Sequence, residues 1–217
     1  MMISPEFFYE DNLEGKTADQ IMTTIRGLKQ EIGRLKNIAE NPYHKTTMCP
    51  TESTQIHCLQ LYLERAKLAF MEAGGEYIPS VAEQKAIDFE NNIPYINKVE
   101  FSIGGYFDGY ETRTYTIDGD KIQTHIEHSL FGKQPNSGDD EMEPMDKDEF
   151  LEQLDNLRIG EWRRRYDSYI LDGTQWELEI YFSNSHKPVK IYGSNAYPYN
   201  FNRVLELFGL EKYMKGL

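Results

Sequence analysis

The chain is poor in cysteine, tryptophan and positive charge. Its 217 residues include two cysteines and two tryptophans, and 23 basic residues stand against 36 acidic ones. Cys49 and Cys58 alone cannot form the disulfide framework of a small secreted domain. The net charge of −13 disfavours direct binding to nucleic-acid phosphates, which requires clustered lysine and arginine. An acidic chain instead suits a protein partner whose surface is basic.

Long apolar runs are missing too. No stretch approaches the roughly 20 apolar residues that are needed to span a bilayer. The start, MMISPEFFYEDNLEGK, lacks the basic and apolar regions of a signal peptide, so we expect a cytoplasmic protein. Hydrophobic residues still make up 39% of the chain and aromatic residues 13%, which is typical of a folded globular protein.

The local signatures of several enzyme classes are also missing. The sequence contains no P-loop, no G-x-G-x-x-G after a strand, no H-E-x-x-H and no G-x-S-x-G. Enzymes that carry these signatures are therefore disfavoured, and no cofactor is implied. An enzyme for a small molecule or a polymer, with dispersed residues, remains an alternative. Its site would lie near Arg163, Asp172, Trp176, Ser194 and Asn195.

Residues 1–95 have the pattern of helices. Thr17 and Gln20 form a capping box that starts a helix of about six turns. Its apolar stripe is Ile21, Ile25, Leu28, Ile32, Leu35 and Ala39. A second helix begins near Thr51 or Ser53 and stops at Gly74. Its stripe is Ile56, Leu59, Leu63, Ala66 and Phe70. We expect these two helices to pair antiparallel within the chain. The alternative is a self-assembling structural module, a coiled coil in which the first stripe pairs between chains as a homodimer.

From Asn97 onward the pattern alternates as in strands. Turns at Asp108-Gly109 and Asp118-Gly119 predict a three-stranded meander. A helix capped by Asp146 follows, then a strand at EWRRRYDS, a hairpin joined at SNSH, and a last helix capped by Asn200. This order predicts β-β-β-α-β-β-β-α.

The predicted fold class is therefore α+β with two regions. Residues 1–95 form a helical hairpin region with a third, shorter helix that ends before Pro94. Residues 96–217 form an antiparallel sheet with one face covered by helices.

Histidine and cysteine occur in two clusters. The first holds the four potential zinc ligands His44, Cys49, His57 and Cys58. Two of these are adjacent on a helix and point about 100° apart, so they cannot easily reach one ion. In the second cluster, His125 and Glu127 share one face of a strand and His128 lies on the other. No partner is evident that would position a general base there. We assign no metal and no catalysis to either cluster.

The stretch EWRRRYD places three arginines between aromatic residues. On a strand, Trp162 and Tyr166 share one face, and Arg163 and Arg165 share the other. The arginines could grip phosphate or carboxylate groups. Alternatively, the aromatic residues are core and the arginines pair with the chain's own acids. Trp162, Arg163 and Arg165 are candidate partner contacts.

Residues 139–149 carry seven carboxylates and one lysine. The ordered D-x-[DN]-x-[DN]-G pattern of a calcium loop is missing. A run of carboxylates can imitate the phosphates of nucleic acid and occupy a basic groove. Five of these residues are candidate partner contacts: Asp139, Asp140, Glu141, Glu143 and Asp146.

The stretch VKIYGSNAYPYN, residues 189–200, combines a strand end with turn residues and two tyrosines. Gly193 and Asn195 tolerate positive φ, so we interpret the stretch as a rigid corner of the fold. Tyr197 and Tyr199 are predicted to be exposed and are candidate partner contacts, because tyrosine is favoured at interfaces.

The second half of the chain also carries a resemblance. A helix, the W-x3-Y spacing and LDGTQWELEIYFSNSHKPVKIYGSNAYPYNF resemble a widespread group of small cytoplasmic proteins. These proteins occur in Gram-positive gut bacteria, their phages and mobile elements, and the likeness covers roughly residues 97–210. It implies no catalytic residues. Some acidic proteins from that setting are anti-CRISPR inhibitors of RNA-guided nucleases.

We therefore expect a non-catalytic binding protein. Its partner is expected to carry a basic nucleic-acid-binding surface, as a type II CRISPR nuclease with its guide RNA does. The acidic surface of the chain would meet that basic channel.

Overall fold

The computed structural model describes residues 3–44, 49–129, 145–169 and 173–216. The chain divides into two compact units, Met1–Ser80 and Val81–Leu217. The unit boundary precedes the third predicted helix, so this helix belongs with the sheet. None of the described helices is both long and apolar enough to cross a membrane.

The described part of the first unit forms three helices, α1 (Pro5–Asn12), α2 (Ala18–Ala39) and α3 (Glu52–Glu72). The predicted capping box is confirmed, because Thr17 and Gln20 each bond the backbone of the other. Thr51 caps α3 as predicted, and the chain leaves that helix through Gly74 at a φ of +82°.

The α2 stripe packs against α3 within the chain. Its buried members are Ile21, Ile25, Leu28, Ile32 and Leu35. The α3 prediction was partly wrong, because Leu59 and Leu63 are only half-buried whereas Tyr62 is buried. Tyr62 stacks on Phe8 of α1 at 4.5 Å between ring centroids, and its hydroxyl donates to the Ile3 carbonyl at 2.7 Å. This contact between aromatic side chains therefore holds α1 against the α2–α3 pair. The sequence did not predict α1.

The described residues of the second unit form three helices and six strands. Helix α4 (Val81–Asn92) is followed by β1 (Ile96–Gly105), β2 (Gly109–Asp118) and β3 (Lys121–His128). Next come α5 (Lys147–Asn156), β4 (Arg165–Asp167), β5 (Gln175–Phe182), β6 (Val189–Ser194) and α6 (Phe201–Leu207). Short 3-10 turns occupy Ile93–Tyr95, Ile159–Glu161 and Glu211–Gly216. The predicted order of elements is confirmed.

The six strands form one sheet in the order β3-β2-β1-β5-β6-β4. The β1-β2-β3 meander and the β5-β6 hairpin are antiparallel, as predicted. The strand predicted over EWRRRYDS is shorter than expected and pairs parallel to β6. Only Glu161 of that stretch lies in the 3-10 turn Ile159–Glu161, which packs on α4, where a side chain at Gly160 would come within 2.8 Å of Ala86 Cα.

One face of the sheet is covered by α4, α5 and α6. Alternate strand residues on that face are buried: Val99, Phe101, Ile103, Trp176, Leu178, Ile180 and Ile191. Phe101 stacks on Phe208, just after α6, at 4.9 Å between ring centroids. The prediction that Asn200 caps α6 through its side chain was wrong. Asn200 instead donates to the Leu157 carbonyl at 2.8 Å and ties α6 to the end of α5.

Candidate binding surface on the open face of the sheet

The other face of the sheet carries half-exposed polar residues, and we call it the open face. Along β1, β2, β5 and β6 these residues alternate with the buried ones. One row crosses the sheet through residues that lie directly opposite one another: Thr112, Ser102, Glu177, Tyr192 and Arg165. The strand register therefore brings together five side chains from distant parts of the sequence.

A cleft of about 650 Å³ lies over this row, and we call it the sheet cleft. Its lining includes Ser102, Tyr110, Arg165, Gln175, Glu177 and Tyr192. The Tyr110 hydroxyl donates to Gln175 Oε1 at 2.7 Å, and the Thr112 hydroxyl donates to Ser102 Oγ at 3.0 Å. Side chains thus tie β2 to its neighbour β1 and, across β1, to β5.

Charges on the open face are paired with each other. Arg165 Nε donates to Asp167 Oδ2 at 2.5 Å, and the Lys190 ammonium bonds the Glu179 carboxylate. Lys98 pairs with Glu100 in the same way, and His125 Nε2 lies 3.0 Å from Glu127 Oε1. Most ionic groups here are therefore satisfied within the chain, and the face is polar without being strongly charged.

Glu177 differs from these groups. It forms no ion pair within the described part of the chain, whereas Asp167, the other acid of the sheet cleft, is held by Arg165. Burial raises the pKa of Glu177, the neighbouring Glu179 raises it further, and a hydrogen bond from Tyr192 partly offsets both. Burial alone would also raise the pKa of Glu179, but hydrogen bonds from Lys190 and Tyr181 lower it.

Exposed aromatic residues lie at the end of the sheet where the sheet cleft lies, and one of them, Tyr192, lines the cleft. Tyr106 and Phe107, at the β1-β2 turn, are 83% and 76% exposed, with their rings edge to face at 5.2 Å. Tyr169, two residues beyond β4, is fully exposed, and Tyr192 is 44% exposed. Gly104, beside the β1-β2 turn, pairs with Gln175, and Gln175 pairs with Ser194 at the end of β6. These four aromatic residues therefore lie toward the same end of the sheet. We call Tyr106, Phe107, Tyr169 and Tyr192 the aromatic rim.

The arginine-rich stretch divides between core and surface. Trp162 and Tyr166 are each 3% exposed, so the core reading is confirmed and Trp162 cannot serve as a partner contact. The Arg163 guanidinium lies over the Tyr166 ring at 5.5 Å, outside the sheet cleft. Arg165 does line the cleft, where it pairs with Asp167.

The stretch 189–200 is a corner, as interpreted. A side chain at Gly193 would come within 2.0 Å of Trp176 Nε1, and this nitrogen donates to the Ala196 carbonyl at 3.0 Å. The prediction that Tyr197 and Tyr199 are exposed was wrong, because both are half-buried. Tyr197 packs on Phe201 at 4.8 Å, and burial raises the pKa of its hydroxyl.

Most of the acidic segment lies outside the described residues, including Asp139, Asp140, Glu141 and Glu143. Asp172 is outside them too. Asp146 is described, and its carboxylate accepts the backbone N–H groups of Asp148 and Glu149 at 2.9 and 3.4 Å. This carboxylate therefore caps α5, as the sequence predicted.

The histidines and cysteines do not converge. His44 Nε2 lies 2.8 Å from Glu52 Oε1, Cys49 is exposed, and Cys58 packs against the core of the first unit. The described residues contain no group of three or more histidine, cysteine or acidic side chains that could hold a metal. His125 and Glu127 share a face and His128 lies on the other, as predicted.

Comparisons with protein-family models, with curated proteins and with solved structures find no match to this chain. The resemblance to small proteins of phages and mobile elements stays a prediction. Sequence reasoning missed Glu177 and the aromatic rim. A usable signal for Glu177 was present, since Glu177 and Glu179 alternate with Trp176 and Leu178 and therefore share one polar face.

Proposed function

We propose that the chain is a non-catalytic binding protein and that its partner docks on the open face at the aromatic rim. The observation that carries this proposal is the set of four exposed aromatic residues at the end of the sheet that holds the cleft, on a face whose ions are largely paired. Exposed apolar clusters with polar surroundings mark interaction sites, and tyrosine and arginine are enriched there. Because these ions are already paired, a partner that covers this face desolvates fewer unpaired charges, and the desolvation free energy is smaller.

The partner that this surface fits best is a protein with a basic nucleic-acid-binding surface. Most of the net charge of −13 falls in the second unit, which also holds the acidic segment 139–149. Complementary charge steers such a pair together, and buried aromatic side chains then hold it. In concrete terms, we infer an inhibitor carried by a phage or mobile element. It would act in the cytoplasm on a type II RNA-guided nuclease with its guide.

A pull-down with purified components tests this function. Tagged protein is mixed with guide-loaded type II nuclease, washed at low and at high salt, and DNA cleavage is assayed alongside. We expect retention that weakens with salt, together with loss of cleavage. Intact cleavage without retention at low salt contradicts the proposal.

An enzyme is a second candidate, favoured by one observation. Of the five residues in the enzyme hypothesis, Trp176 and Ser194 line the sheet cleft, and Arg163 and Asn195 do not. The cleft also holds Glu177, whose pKa is raised by burial. A carboxyl group of this kind suits general acid–base catalysis near neutral pH. Chromogenic ester, phosphate and glycoside substrates test it. Turnover that Glu177→Gln abolishes without loss of folding supports an enzyme, and no turnover by the parent protein contradicts it.

A further inference from the structure

A second hollow, of about 410 Å³, lies in the same unit on the covered side of the sheet. It is bounded by α4, the turn Ile159–Glu161, residues 185–188 and β6. Phe89, Ile159 and Ile191 form its apolar floor, and Lys85, Arg164 and Lys187 bring positive charge to its walls. We call it the cationic pocket. It opens on the side of the sheet away from Tyr192 and the sheet cleft.

Lys85 and Arg164 both line this pocket, near enough for the charge of one to act on the other. Lys85 Nζ donates to the Trp162 carbonyl at 3.1 Å, which holds the ammonium at the wall. Burial lowers the pKa of Lys85, and the positive charge of Arg164 lowers it further. Arg164 forms no ion pair with any described residue, although the chain has a net charge of −13.

The acidic residue of the pocket pairs with a histidine and not with Lys85 or Arg164. Asp88 Oδ2 lies 3.0 Å from His186 Nε2, so Asp88 is engaged with the histidine. Like charges held together cost free energy that a bound anion would offset. Lys85 and Arg164, above an apolar floor, therefore indicate a binding site for an anion that also has an apolar part.

We propose that the cationic pocket binds a small organic monocarboxylate. The carboxylate lies between Lys85 and Arg164, because a guanidinium offers two parallel donors to a carboxylate. The apolar body of the ligand packs on Phe89, Ile159 and Ile191. The volume is within the range of small-molecule sites. Asp88 adds a negative charge nearby and selects against dianions such as phosphate. This site is independent of docking on the open face.

Benzoate is a suitable probe, with benzamide as its uncharged match and inorganic phosphate as the dianion. Each is titrated into the whole, isotope-labelled protein while amide NMR signals are followed. We expect benzoate to shift the signals of Gly160 and Ile191 saturably in the millimolar range, and benzamide and phosphate to leave them unchanged. Loss of one charge-assisted hydrogen bond, in Arg164→Gln or Lys85→Gln, should weaken benzoate binding about tenfold.

Arg163→Gln is the matched control, because Arg163 is the neighbouring arginine and does not line the pocket. It should bind benzoate like the parent. Unfolding followed by tryptophan fluorescence checks that each variant folds. Three results would overturn the proposal: no saturable shift with benzoate, equal shifts with benzamide or phosphate, or parent-like benzoate affinity in a folded Arg164→Gln protein. Retention of the nuclease should not change in Arg164→Gln, so the two proposals can fail separately.

Discussion

Glu177 and Tyr192 lie directly opposite each other on β5 and β6, and the tyrosine hydroxyl donates a hydrogen bond to the glutamate. Although this bond favours the carboxylate, burial and Glu179 outweigh it, and the pKa of Glu177 stays above its usual range. The centre of the open face therefore holds an acid that is easily protonated. Glu177 therefore affects both the charge of the open face and the pH dependence of folding.

The first prediction concerns protonation of the Glu177 carboxylate. The folded state binds this proton more tightly than the unfolded chain does. Protonation therefore stabilises the folded state fully below the ordinary glutamate pKa, and this stabilisation is lost as pH rises through the folded-state pKa. Glu177→Gln should gain stability relative to the parent as the pH rises from the ordinary glutamate pKa through the higher folded-state pKa of Glu177. Urea unfolding followed by tryptophan fluorescence measures this, because Trp162 and Trp176 both lie in the second unit. A difference that does not change with pH contradicts the prediction.

The second prediction concerns a buried ion cluster on the covered face. Arg113 donates to Glu111 Oε1 at 2.7 and 2.9 Å, and Lys212 lies 2.6 Å from Glu111 Oε2. Glu111 and Arg113 are each 2% exposed. Glu111→Gln leaves the buried guanidinium without its counter-charge and should cost roughly 3–5 kcal/mol. Glu127→Gln, in an exposed pair with His125, is the control and should cost about 1 kcal/mol or less.

The same cluster predicts sensitivity to acid. Burial alone would raise the pKa of Glu111, but Lys212 and Arg113 lower it below the usual value. Its stabilisation is therefore present above the ordinary glutamate pKa and is lost as pH falls through the folded-state pKa. Urea unfolding of the parent and of Glu111→Gln should converge at acid pH. A gap that stays constant as the pH falls would show that the charge of Glu111 does not stabilise the fold.

The third prediction compares two glycines. A Cβ at Gly104 would come within 2.1 Å of the Gly109 carbonyl oxygen, which is backbone and cannot move aside easily. Gly104→Ala should therefore destabilise the second unit. A Cβ at Gly27, in α2, meets no atom within 4 Å, so Gly27→Ala should stabilise the first unit by roughly 0.5–1 kcal/mol. Thermal unfolding by fluorescence for Gly104 and by circular dichroism for Gly27 tests both signs.

The fourth prediction concerns self-assembly. The α2 stripe is buried against α3, so it is not available to pair with a second chain. Light scattering should therefore give a molar mass near 25.4 kDa. A mass near twice that value would contradict this prediction and favour the coiled-coil alternative.

The sequence predicted most of the framework because local rules decide it. The capping box at Thr17, the α2 stripe and the turns of the meander depend on neighbouring residues alone. Strand β2 shows the limit of that reasoning. Its apparent stripe of threonines faces the open side, whereas Glu111 and Arg113 face the core.

The candidate sites were harder to predict because they depend on long-range register and packing. Burial of Glu111 requires Lys212, which comes from the far end of the chain. The sheet cleft requires the parallel pairing that sets Arg165 beside Tyr192. The cationic pocket requires α4 to bring Lys85 to Arg164. No local pattern contains these pairings.

The most direct test of the account is the affinity of guide-loaded nuclease for a rim variant. Tyr106→Ser combined with Phe107→Ser removes two exposed aromatic residues, and Tyr95→Ser, a 50% exposed tyrosine at the other end of β1, is the matched control. We expect the double variant to bind about tenfold more weakly or worse, and the control to bind like the parent. Equal affinity of the parent and a folded double variant would contradict docking at the aromatic rim.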